Sequence, residues 1–181
     1  MLRNRLTTVA AGSLVAAAVL LPSPVSVSAH NGGQKRFSAT LRSTNEVPSI
    51  SSPAEGRFRA RLSDDGLSLS YTLTFSGLRA PITQSHIHFG ERHTNGGVMV
   101  FLCSGPTNVD PTGLAPACVQ EGTVEGTITG ANIIQPGATG LGQGIAAGAF
   151  DAFVEALRKG AAYANVHSQS FGGGEIRGQI Q

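Results

Sequence analysis

From Leu67 to Phe75 every second residue is large and apolar: Leu67, Leu69, Tyr71, Leu73 and Phe75 alternate with Ser68, Ser70, Thr72 and Thr74. Successive side chains of an extended chain point to opposite faces, so the run reads as a half-buried antiparallel strand. Shorter copies of the pattern recur. Phe37, Ala39 and Leu41 alternate within 35–44, and Phe58, Ala60 and Leu62 alternate with Arg57, Arg59 and Arg61. Val124 and Ile128 mark a strand over 122–129, and two more close the chain at 163–168 and 174–180. Asp64-Asp65-Gly66 is a tight turn, while Gly77, Leu78 and Pro81 break the run that precedes them.

Only one segment departs from this period. Between Gly148 and Gly160, Phe150, Phe153, Val154 and Leu157 fall at helical spacing, with Arg158 and Lys159 before the closing glycine. Residues 131–148 are rich in Gly without a period and read as loop. The expectation is an all-β protein, an antiparallel Greek-key sandwich or barrel of about eight strands with one short helix in its C-terminal half.

The first residues have another character. Arg3 and Arg5 precede an apolar run from Val9 to Leu21, and Val27, Ser28 and Ala29 form a small-residue exit, the pattern of a signal peptide over 1–29. The run is too short to span a bilayer and ends at Pro22 and Pro24, so no membrane span is expected. The remainder, 30–181, is then a single secreted or periplasmic domain. Of 13 Lys and Arg residues, Arg3 and Arg5 leave with the leader, so 11 basic groups face 11 acidic ones. A neutral chain with scattered arginines offers no footprint for nucleic acid. In an exported protein the two cysteines, Cys103 and Cys118, are expected to form a disulfide.

The chemistry concentrates in SHIHFGERHTNGGVMVFLC, residues 85–103. Read as a strand, it places His86 and His88 on one face and Ile87 and Phe89 on the other, about 6.6 Å separating the histidines along the chain. Asn95-Gly96 signals a turn, so the segment is a hairpin with a long tip. On the strand 163–168, Tyr163, Asn165 and His167 share one face. His86, His88 and His167 are therefore candidates for a mononuclear copper or zinc site, with His93 or Glu46 available to complete it. Against this stands a simpler reading, histidines as polar residues on a hydrogen-bonded sheet face. His30, at the new amino terminus, is a further copper chelator on paper, in a segment that reads as a mobile tail.

Residues 37–41 (FSATL), 45–48 (NEVP), Gly77-Leu78, His86-Ile87-His88, 163–167 (YANVH) and 173–180 (GGEIRGQI) follow in an order that resembles the CHRD domain. That module is named after chordin and also occurs singly in secreted microbial proteins. The resemblance covers nearly all of 30–181 and departs from the family pattern at the tip, 90–97, and in the cysteine loop. It implies a secreted binding module whose partner is an unidentified protein or envelope component. A weaker similarity, to copper-zinc superoxide dismutases, rests on His86, His88, His167 and Arg177, and implies a copper-dependent redox enzyme as the competing reading. The zinc loop of those enzymes has no counterpart here. A metal-free protein- or polysaccharide-binding module is the third.

Overall fold

The computed structural model describes residues 33–137 and 142–181. The expected leader and His30 lie outside the described residues. Eight strands form: β1 (Arg36–Arg42), β2 (Glu55–Leu62), β3 (Leu69–Ser76), β4 (Ile82–Phe89), β5 (Gly97–Ser104), β6 (Gly122–Ile128), β7 (Ala162–Ser168) and β8 (Ile176–Gln179). They make one antiparallel sheet in the order β5-β4-β7-β8-β1-β2-β3-β6, nearly closed into a barrel. Among the described residues a single α-helix, α1 (Phe150–Arg158), precedes β7. Its buried stripe, Phe150, Phe153, Val154, Ala156 and Leu157, joins the core that Phe37, Leu41, Phe58, Leu73, Phe75 and Ile87 build from the strands.

The two edge strands, β5 and β6, are tied together indirectly. The hydroxyl of Tyr71 on β3 crosses to donate to the Leu102 carbonyl of β5 at 2.6 Å. Ile134 N–H, beyond β6, donates to the Met99 carbonyl at 2.9 Å, and Cys103 of β5 is disulfide-bonded to Cys118 at 2.06 Å. Backbone groups that an open edge would leave to solvent are thereby partly used.

Leu67 departs from the expected pattern. It is 67% exposed, and the strand begins at Leu69. The turn extends further than its Asp-Gly signal suggests, because the Asp65 carboxylate accepts Leu67 N–H at 3.0 Å and the Ser63 hydroxyl accepts Ser68 N–H at 3.0 Å. These local side-chain bonds hold Leu67 in the turn. Arg57, Arg59 and Arg61 are exposed, as the face opposite Phe58 and Ala60 requires.

The region that matters for function is the other half of the sheet. All seven residues of β7 are buried, so both of its faces are covered. One face meets the core through Ala164 and Val166. The other lies under two connections, residues 43–50 and the hairpin tip 90–97, which are joined to each other by a bond of 3.3 Å from Asn95 Nδ2 to the Val47 carbonyl.

Candidate metal centre

β4 and β7 are neighbours in the sheet, with His88 opposite Tyr163, His86 opposite Asn165 and Gln84 opposite His167. The period of two then places His86, His88 and His167 on one covered face, where their ring centroids stand 4.9, 5.3 and 5.9 Å apart. His86 is 2% exposed, His88 8% and His167 4%. Among the described residues this is the one group of three or more His, Cys, Asp or Glu side chains gathered closely enough to hold an ion, its ligand atoms within 4.8 Å of one another.

Hydrogen bonds decide how two of the rings are protonated. His88 Nδ1 lies 2.9 Å from the Gly96 carbonyl and His167 Nδ1 lies 3.0 Å from the Gly172 carbonyl. A carbonyl only accepts, so both rings carry their proton on Nδ1 and present an Nε2 lone pair. An outer acceptor on the second nitrogen is how metal-binding histidines are usually oriented. The Nε2 atom of His88 is buried and has no partner, as has that of His86. His86 Nδ1 sits 3.2 Å from His167 Nε2, close to the separation of about 3.3 Å between two ligands on a tetrahedral ion with bonds of ~2.0–2.1 Å.

Burial, with the neighbouring imidazoles and Arg177 adding to it, holds all three rings neutral. The pKa falls to about 2 for His86, about 3 for His88 and about 4 for His167. Desolvation is the largest cause in each case, while the carbonyl bonds pull His88 and His167 part of the way back. Near neutral pH the rings carry no charge, and the one proton in an ion's way is that shared between His86 Nδ1 and His167 Nε2.

Around the triad stands a buried polar frame. Tyr163 stacks on His88 with ring centroids 4.8 Å apart and planes 1° from parallel. Arg177 lies over the Tyr163 ring, 4.5 Å from its centroid. The Arg177 guanidinium donates to Glu46 at 2.7 Å, to the Thr94 carbonyl at 3.0 Å and to Asn95 at 2.9 Å. Glu46 takes its second bond from Asn165 Nδ2 at 2.6 Å, and burial raises its pKa while Arg177 opposes the rise. The backbone makes room for this. Gly174 has φ of 126°, and a Cβ there would stand 2.5 Å from Asn165 Nδ2. A Cβ on Gly96 would stand 1.7 Å from the Phe89 carbonyl oxygen, so only glycine brings its own carbonyl to His88.

The candidates from sequence fall into two sets. His86, His88 and His167 come together. Both oxygens of Glu46 are occupied by Arg177 and Asn165, and Arg177 braces Tyr163 and the tip. His93 is exposed in the tip, with φ of 67°. Glu175 accepts from Ser52 Oγ at 2.6 Å and from Arg79 N–H at 2.8 Å. The orienting parts, Tyr163, Asn165, Gly96 and Gly172, are absent from the sequence-derived site. The i, i+2 spacing of Tyr163 and Asn165 before His167 was the available signal for two of them.

The family model for the CHRD domain matches residues 37–180. No curated protein and no solved structure matches the chain.

Proposed function

The chain belongs to the CHRD domain family, and from that premise we propose that it is an exported binding module whose His86–His88–His167 pocket holds one transition-metal ion, copper or zinc. The observation that carries the metal is the pair of orientations imposed on His88 and His167. Each spends its N–H on a fixed carbonyl and turns a neutral lone pair into the pocket. Nothing in sheet stability requires a buried His88 Nε2 without a partner; a lone pair left unsatisfied inside a protein costs about 1–3 kcal/mol. An ion at that point satisfies it. The widest ligand separation, 4.8 Å, exceeds the ~4.2 Å that two opposed ligands of one ion can span, so loading turns at least one ring inward.

Export is supported by the Cys103–Cys118 disulfide, which belongs to oxidising compartments, and by the basic-apolar-small pattern of residues 1–29. No helix among the described residues is long and apolar enough to cross a membrane. Binding is favoured over turnover by the closeness of the site. The three rings are 2–8% exposed, and the small cavity beside Tyr163 and Arg177 is lined by none of them.

The test is metal analysis of the full chain purified without chelator after copper and zinc supplementation. About one equivalent is expected, and less than a tenth of an equivalent of either metal removes the proposal.

A further inference from the structure

Resting on the reading of the triad as a metal site, we infer that the ion it is built to hold is monovalent copper, bound by three imidazoles alone through His86 Nδ1, His88 Nε2 and His167 Nε2. Three observations converge on this choice.

The first is the ligand count. Closed zinc sites are four-coordinate, and open ones keep a water or substrate in the fourth position. Here the gathered donors are three histidines, and Glu46 is held by Arg177 and Asn165. His93, the other nearby imidazole, lies exposed in the hairpin tip. A three-nitrogen set suits an ion content with three ligands.

The second is charge. The ligands are neutral, and the adjacent Glu46–Arg177 pair sums to zero, so no net negative charge stands against an entering cation. The cost of moving an ion into a low-dielectric interior grows with the square of its charge. A divalent ion therefore costs about four times as much as a monovalent one of similar size. Arg177 acts on both His88 and His167 with a charge of the same sign as the ion's.

The third is enclosure. The rings are 2–8% exposed, and the outer side of the face is covered by residues 43–50 and the tip. Divalent copper prefers a tetragonal arrangement with four or more ligands, which requires water or an anion to enter. The Phe101 ring, edge-on to His86 with centroids 4.2 Å apart, occupies one side of the pocket. His86 reaches its ligating form by moving its proton from Nδ1 to Nε2, which directs no charge outward and releases no proton.

The experiment is anaerobic competition of the full chain against a chromophoric chelator of monovalent copper, with parallel titrations by Zn²⁺ and Cu²⁺. One equivalent of monovalent copper is expected to bind at least 1,000-fold more tightly than Zn²⁺, with an X-ray absorption spectrum fitted by three nitrogen neighbours. His88→Gln, checked for folding by its melting transition, is expected to lose at least 100-fold. Binding of Zn²⁺ or Cu²⁺ as tight as that of monovalent copper overturns this inference and leaves the metal site standing. A spectrum that needs four or more ligands does the same. Failure of all three ions to bind ends both readings. Should His88→Gln not fold, His167→Gln takes its place with the same 100-fold loss expected, and a folded variant of either that keeps its full affinity overturns both readings.

Discussion

His86 Nδ1 and His167 Nε2 stand 3.2 Å apart, although 81 positions separate them in the chain. Pairing of β4 with β7 brings them together, and both rings are buried there, 2% and 4% exposed. The contact gives the protein one internal hydrogen bond, His86 to His167, that an ion bound as proposed would replace. Loading is consequently expected to shift the nitrogen resonances of His86 more than those of His88 or His167, whose Nδ1 protons stay on their carbonyls. NMR of labelled protein with and without metal checks this.

Acid destabilises the metal-free protein through the same three rings. Their folded pKa values of about 2, 3 and 4 lie below the ordinary value near 6.5, so between pH 6.5 and 4 the unfolded chain takes up protons that the folded chain refuses. Stability is present above pH 6.5 and falls as the pH drops through that window, with up to three protons taken up on unfolding. His167 alone accounts for a loss on the order of 3 kcal/mol by pH 4. Urea titrations at pH 7, 5.5 and 4.5 measure it, and His167→Gln is expected to flatten the slope by about one proton.

Arg177→Met leaves the Glu46 carboxylate buried without its partner and frees the hairpin tip. A loss of about 3–5 kcal/mol is expected by denaturant titration. The Glu46→Gln, Arg177→Met double variant should recover part of it. Because Arg177 also holds Thr94 and Asn95, the single variant is expected to weaken metal binding as well, through the loosened Gly96 carbonyl.

The disulfide closes a loop of sequence separation 15 between an edge strand and the approach to β6. Replacing both cysteines by serine is expected to cost about 3 kcal/mol by the chain-entropy estimate. Metal affinity is expected to change little, since Cys103, paired with Ser85 beside His86, points into the apolar core and not toward the rings. Equilibrium melting and the copper competition read the two effects separately.

Much of this protein was legible from alternation alone. A face that repeats every two residues is visible in His86-Ile87-His88 and in Tyr163-Ala164-Asn165-Val166-His167, and the sheet needed only to lay β4 beside β7. The Glu46 contacts were not visible. Its partners Asn165 and Arg177 lie 119 and 131 positions away, and a buried carboxylate near histidines looks the same in sequence whether it ligates or braces. Leu67 misled for the opposite reason. Its place in the alternation was right, but Asp65 and Ser63 hold the turn open for two residues more.

The carbonyls that orient His88 and His167 belong to Gly96 and Gly172, each in a connection on the outside of the barrel. A ring that swings to meet an ion pulls on its carbonyl, and the carbonyl pulls on the loop. Under the function proposed above, filling of the pocket would therefore change the posture of two separate loops at the surface.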